Sequence, residues 1–594
     1  MSLSERDLDR RRPLAAVLAA SLTVGGLLAV AIGGSPAAAD EAECAGYYAE
    51  NPDFELDDGR DIDPIPTTEK PASGESYIEE AYGTCVTRMT DHATDFQAGR
   101  DDEITFTRTD YSRRQGFNAD SSMYLIYDSS GYWHVYETAT STHIKQLEGP
   151  SGDAEPQWHP SDPDTLYYLS SWGEDGLIYQ MSIESNTGEL IGDLGDRLQA
   201  LWPSADQAFT GSEGSPSADG RYWCFEVRNR EQNQTLGLVT WDRENDEIVG
   251  SHDLDGEDPD ATSMSPSGDY CVIQTAPDDT QKMRTVAFSR DFTSETFLHE
   301  SVEHADMALA ADGTDVWVSI DYSSPTGAIY MINMATGVRT DLLETYINGS
   351  TTSVHISGKA YNKPGWVLVS TYGDAEGDRQ WLHRKVFALQ LDAAALVQNL
   401  AFTRSEEYSD KAYFAEPHAT VNLDFTRVMF NSNWENQADE EDVDAYMITL
   451  PEDLLPDSAG ELSLSRLPRD PGAPTPAPTD PPSDDSPSDD APATPEEPDD
   501  GGADGIDPEF TVALVSSSLS GYDAEYEVST TIAASCMQAT EPGLPYDALY
   551  DPVDSADGLT HTKSFSVGSA DGETVYVVCR AGGQEQEVSV ALVP

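Results

Sequence analysis

The stretch SPSADGRYWCFEV (215–227) sets the reading of the fold. Ser, Pro, Asp and Gly make a turn, and the aromatic and β-branched residues after them suit a strand. The same order recurs in FNADSSMYLIY (117–127), WHPSDPDTLYYL (158–169), SPSGDYCVIQT (265–275), LAADGTDVWVSI (309–320), ISGKAYNKPGWVLVS (356–370) and VNLDFTRVMFNS (421–432). Successive starts lie roughly 41 to 65 residues apart, near the ~40–50 of propeller blades. Further strand-like pieces fall between them, such as GLIYQMSI, GLVTWD, AIYMINM and AYMITL, often followed by a second turn. No long helical periodicity competes. Seven such copies predict an all-β chain whose main body, residues 90–468, is a seven-bladed β-propeller. The alternative is an unrelated all-β protein rich in common turns.

These repeats resemble TolB-type propeller repeats, in which a small-residue, Pro, Asp and Gly turn starts a strand. At 594 residues the chain is too long for one compact core, so further domains are expected. Residues 40–89, with ELDDGRDIDPIP, read as an irregular N-terminal extension pinned by a disulfide. The acidic run DDGRDID (57–63) reads as a solvated loop rather than a calcium loop. Residues 469–507 lack aromatics and are rich in Pro, Ser and Asp. They cannot bury enough apolar surface to fold, so they read as a disordered, self-repelling linker. Residues 508–594 alternate again, in FTVALVSSS, AEYEVSTTIAASC, HTKSFSV, ETVYVVC and QEVSVALV, which predicts a small β-sandwich. Its segments VSTTIAASC, YDAL, GLTHTKSFSV and ETVYVVCRAGG resemble a fibronectin type III-like module of secreted bacterial polysaccharide-active proteins. That resemblance implies a spacer, with weak glycan binding as the other reading.

Asp plus Glu number 108 against 33 Lys plus Arg, a net charge of −75. No basic stretch of useful size occurs, so nucleic acid and anionic membranes are poor partners. Dispersed carboxylates with scarce Lys suit a halophilic setting, where salt screens their repulsion. Arg10, Arg11 and Arg12 precede an apolar run from Leu14 to about Ile32 and then SPAAAD, the pattern of a signal peptide over residues 1–39. The mature protein is expected outside the cytoplasm, free of the membrane after cleavage and monomeric. An uncleaved anchor is the alternative, because the run nearly reaches the roughly 20 residues that span a bilayer. Six cysteines in an exported chain suggest the neighbour pairs Cys44–Cys85, Cys224–Cys271 and Cys536–Cys579.

Three histidines occupy equivalent places in successive repeats: His304 in EHADMALAADGTDVW, His355 in TTSVHISGKAYNKPGW and His418 in AEPHATVNLDF. Each alone reads as a surface or packing residue. The repeated turns are read as preceding the innermost strand of each blade and pointing into the mouth of the central channel, so histidines placed there in consecutive blades are expected to meet. Glu416 stands two residues before His418, on the same face if the segment is extended. Imidazole nitrogens with a carboxylate oxygen suit Mn²⁺ or Zn²⁺. Asp306, two after His304, is a candidate to fix its tautomer, and His159 ranks below the other histidines because it lies inside a turn.

EH at 303–304, His355, and Glu416 with His418 before FNSNW resemble the pattern of the oligogalacturonate lyases over roughly 300–434. The resemblance implies a propeller holding Mn²⁺ in its channel mouth, His304 as catalytic base, and His355 and His418 as metal ligands. Glu416 stands where that family has a histidine, Tyr413 where a glutamine ligand would match, and the family's channel arginine has no place in the pattern. The implied chemistry is β-elimination on a uronic-acid polysaccharide or oligosaccharide. A base removes the proton beside the carboxylate, and a metal or cationic side chain neutralises the developing enolate. Lys359 and Arg228 are the sequence's candidates for that cation. The alternative is a non-catalytic extracellular propeller that binds glycan or protein. No G-x-S-x-G, HExxH, P-loop or CxxC occurs.

Overall fold

In the computed structural model, the described residues are 40–456 apart from 96–103, 231, 233, 255, 277–282, 374–378, 407–411 and 437–441, together with the strands between Val512 and Leu592. The expected signal peptide and the expected linker lie outside them. The chain divides into two units, Met1–Arg469 and Asp470–Pro594.

The first unit is a seven-bladed β-propeller. Six blades are four-stranded antiparallel sheets in plain sequence order, and the seventh has five strands. Blade 3 is typical: Gln207–Phe209, Tyr222–Asn229, Gln234–Asp242 and Glu247–Asp253 pair in turn. The repeated turn sits between the first and second strands of each blade, not before the first as the sequence reading had it. The aromatic and β-branched strands that follow the turns are therefore second strands. Tyr222–Asn229 is buried along almost its whole length, which is why its composition is apolar on both faces. Buried clusters such as Trp223, Phe225, Val239 and Trp241 fill the space between neighbouring sheets.

The N-terminal extension is part of the ring. Cys85–Arg88 pairs antiparallel with Asp444–Thr449, and Ser76–Ile78 adds outside it. The seventh blade thus combines three strands from the end of the unit with two from its beginning, so the circle is closed by strand pairing. The propeller consequently begins before residue 90. The helix Asp40–Glu50 clamps this closure. Its Cys44 is bonded to Cys85, and its Tyr48 hydroxyl donates to the Thr449 carbonyl at 2.9 Å. Asp57, in the acidic loop, bridges to Asn399 at the edge of blade 6 rather than standing in solvent alone. Cys224–Cys271 joins the second strands of blades 3 and 4.

The second unit contains seven described strands, paired antiparallel in the order Val512–Ser520, Asp523–Thr530, Thr560–Ser566, Asp551–Ser555, Ser535–Ala539, Glu573–Ala581 and Gln584–Leu592. Cys536 and Cys579 face each other across one of these pairs and are bonded.

Candidate metal centre at the channel mouth

His304 immediately precedes the first strand of blade 5, Ala305–Leu309. His355 lies within that of blade 6, Ser353–Ser357, and His418 stands two residues before that of blade 7, Thr420–Val421. First strands of neighbouring blades pack on one another, so these positions, far apart in sequence, share one end of the channel. The ring centroids of His304 and His355 are 4.6 Å apart, and those of His355 and His418 are 4.4 Å apart. One ligand atom each from His355, Glu416 and His418 fits within a 4.8 Å cluster. Glu416 Oε2 lies 3.3 Å from Nε2 of both histidines, and its side chain keeps 15% exposure while theirs keep 1% or less. The carboxylate faces the opening and the imidazoles form the floor.

The backbone at His418 has φ of 39°, a left-handed conformation that costs a non-glycine residue on the order of 1 kcal/mol and that histidine tolerates better than most. Asn431 N–H donates to the Pro417 carbonyl at 2.8 Å, and Ala419 N–H to Ser370 Oγ at 3.3 Å, which holds the turn. The rings of His304, His355 and Tyr372 form a mutual cluster, with Tyr372 4.4 Å from His355 and nearly parallel to it and 5.8 Å from His304. His304 Nδ1 lies 3.2 Å from the Val354 carbonyl and 2.6 Å from the Tyr372 hydroxyl. A carbonyl only accepts, so Nδ1 carries the proton and Nε2 keeps its lone pair.

Burial holds all three imidazoles in their neutral form. For His304 burial, then the charge of Arg113, pushes the pKa down to about 4. Burial lowers His355 and His418 well below their ordinary value as well, with the neighbouring imidazoles and arginines adding to it. Both ring nitrogens of His355 and Nε2 of His418 are buried without a hydrogen-bond partner, because the approaches to Glu416 lack hydrogen-bond geometry. Orphaned buried nitrogens are costly, and a cation would satisfy them. The donor set, two imidazoles and a carboxylate, therefore fits a divalent transition metal.

The mouth's cations are not those expected. Lys359 is buried past the far end of blade 6's first strand, with Nζ 3.0 Å from Asp306 Oδ1. Asp306 also accepts from Gly358 N–H at 2.7 Å and does not touch His304. Arg228 sits in a second strand of blade 3, paired with Glu226 at 3.0 Å and Asp258 at 2.6 Å. Both errors share a cause. Placing the turn ahead of the innermost strand put the wrong residues at the opening. His159 caps its own turn, its Nδ1 accepting from Ser161 and Asp162 N–H.

The cations come instead from Arg108–Arg114, a segment that crosses the channel. Thr109 N–H donates to Asn431 Oδ1 at 2.8 Å, Ser215 Oγ to the Arg113 carbonyl at 2.6 Å, and Thr420 Oγ1 to the Arg114 carbonyl at 2.5 Å. Arg113 reaches the Glu303 carbonyl at 3.3 Å and pairs with Glu213 at 2.9 Å, while Arg114 pairs with Asp110 at 2.9 Å. Arg108 Nη1 lies 2.9 Å from His418 Nδ1. The sequence signal was available: TRTDYSRRQ packs three arginines into seven positions of a chain that has only 33 basic residues in 594. A second cluster, Asp91, His92 and Asp444, also has metal-ligand spacing. There Asp444 is already saturated by Arg88 at 2.7 Å, Lys70 at 2.9 Å and His92 at 3.1 Å, so it is an ion-pair network.

No protein-family model matches the chain, and no curated protein matches it. Among solved structures it is similar to an oligogalacturonate lyase from Vibrio parahaemolyticus, at 12% identity and TM-score 0.44, over 64% of this chain and 97% of that one. It is similar to an oligogalacturonate lyase in complex with manganese, at 15% identity and TM-score 0.44, over 64% of this chain and 96% of that one. The hydrazine synthase of Kuenenia stuttgartiensis follows at 14% identity and TM-score 0.38, over 59% and 98%. The seven-bladed fold rests on the strand pairing described above.

Proposed function

We propose that this chain is an exported, divalent-metal-dependent lyase that cleaves uronate-containing glycans by β-elimination at the channel mouth. The observation that carries the reading is the convergence of His355, Glu416 and His418 within 4.8 Å, with orphaned imidazole nitrogens. His304, stacked on that cluster, has a neutral ring whose Nε2 lone pair is left for a proton. His304 takes the proton from the carbon beside the substrate carboxylate. The electron pair moves toward that carboxylate as an enolate, then returns to form a carbon–carbon double bond as the glycosidic C–O bond at the neighbouring carbon breaks, and the departing oxygen takes a proton from solvent. Arg113, held by the Glu303 carbonyl and by Glu213, supplies fixed positive charge beside the developing enolate, and Arg108 is a second cation at the same mouth. A bound divalent cation would be held by His355, Glu416 and His418 and would add Lewis-acid stabilisation of the carboxylate. The mouth is also compatible with glycan binding without turnover, which the same experiment separates.

The test measures Mn²⁺ and Zn²⁺ binding to the full chain, and then the ultraviolet absorbance of unsaturated uronate products on a panel of uronic-acid polymers. Wild type should bind metal and form product, and His304→Ala should bind metal and form none. Stoichiometric metal with no product on any polymer would favour the binding reading. Absence of metal binding would end both the metal and the lyase reading.

A further inference from the structure

Resting on the metal reading above and deepening it, we infer that Arg108 and a divalent cation compete for His418, so that metal binding displaces the Arg108 guanidinium from the channel floor. Arg108 Nη1 stands 2.9 Å from His418 Nδ1. A guanidinium is a donor only, so Nδ1 is the acceptor and the neutral ring carries its proton on Nε2. Nε2 is the nitrogen turned toward Glu416, 3.3 Å from Oε2. A cation bound there takes the Nε2 lone pair and leaves the ring proton on Nδ1. That proton would point at the N–H of Arg108, donor against donor. Metal-bound histidines are ordinarily backed by a carboxylate, a carbonyl or water, and a guanidinium has the opposite polarity. Holding both contacts at once would require an imidazolate.

The surroundings let Arg108 leave. Arg113 and Arg114 are tied to Glu213 and Asp110, but Arg108 makes no ion pair among the described residues. Its guanidinium lies against the rings of Phe106, Tyr413 and Phe414, at 5.7, 5.3 and 5.4 Å. Tyr413 is 47% exposed, so this aromatic cradle opens to solvent. A guanidinium that gives up His418 stays against these rings, turns to their open Tyr413 side and, with no ion pair among the described residues, meets a carboxylate-bearing sugar there. Metal binding then prepares the anion site as well as the Lewis acid.

The test uses full-length protein, stripped of metal and titrated calorimetrically with MnCl₂. Arg108→Gln is compared with wild type and with Arg113→Gln. The Arg113 change removes the same charge from the same channel without a bond to His418, and so controls for simple repulsion. Competition predicts about tenfold tighter Mn²⁺ binding in Arg108→Gln than in wild type, the equivalent of one charged hydrogen bond, and a smaller gain in Arg113→Gln. Arg108→Met keeps the stem without a polar head, should also tighten, and serves if the Gln variant folds poorly. Unchanged or weaker binding in the Arg108 variants, or equal tightening in Arg113→Gln, overturns the inference and leaves the metal site standing. Failure of every protein to bind Mn²⁺ removes the metal reading and the competition together.

Discussion

Replacing Cys44 and Cys85 together by Ala should destabilise the propeller at the seam where its ring closes. The bond links residues 41 apart and ties the clamp helix to the strand Cys85–Arg88. The chain-entropy relation gives about 4 kcal/mol for a loop of that length. For a propeller of roughly 380 residues the unfolding entropy near the midpoint is about 0.8 kcal/mol/K, so the midpoint should fall by about 5 °C. The consequence reaches the metal centre, because Cys85–Arg88 and Thr420–Val421 belong to one sheet, joined through Asp444–Thr449 and Arg427–Ser432. Calorimetric melting of both proteins, with and without Mn²⁺, measures the effect. A fall of under 1 °C would show that the closing strand is held by its pairing and by Tyr48 alone. The disulfide would then not be a significant lock on the ring.

Other outcomes follow from the same contacts. His355→Ala and His418→Ala should each abolish stoichiometric metal binding by equilibrium dialysis, whereas Arg228→Ala should leave it unchanged. Asp444→Asn removes the closer of Arg88's two carboxylates, leaves Asp91 at 3.3 Å, and strips Lys70 and His92 of the same partner, so it should cost about 3 kcal/mol in denaturant unfolding near pH 6. The Asp444 carboxyl titrates below its ordinary value because His92, Lys70 and Arg88 outweigh the opposing cost of its burial. Its stabilisation is therefore complete above the unfolded value of about 3.9 and is lost as pH falls below it, so the gap between wild type and Asp444→Asn should narrow in acid. At a net charge of −75, the melting midpoint should rise with added KCl as self-repulsion is screened; a midpoint independent of salt would contradict that reading of the composition.

Sequence alone determined the repeat. Turn chemistry and strand composition are local properties, so seven copies were legible without knowing what any of them touched. The three disulfides were legible because each joins neighbours in sequence, 41, 47 and 43 residues apart. His304, His355 and His418 were found through their equivalent positions in consecutive repeats, and Glu416 through its spacing from His418. Only the tertiary structure decided which strand of each blade lines the channel, and with it the choice of Arg108 and Arg113 over Lys359 and Arg228. An ion pair depends on which carboxylate another blade delivers, and nothing in the local sequence of Lys359 records Asp306. The ring closure was hidden for the same reason, since the pairing of Cys85–Arg88 with Asp444–Thr449 joins opposite ends of the unit. Local chemistry fixes the elements, whereas long-range packing fixes which of their charges remain available for a ligand.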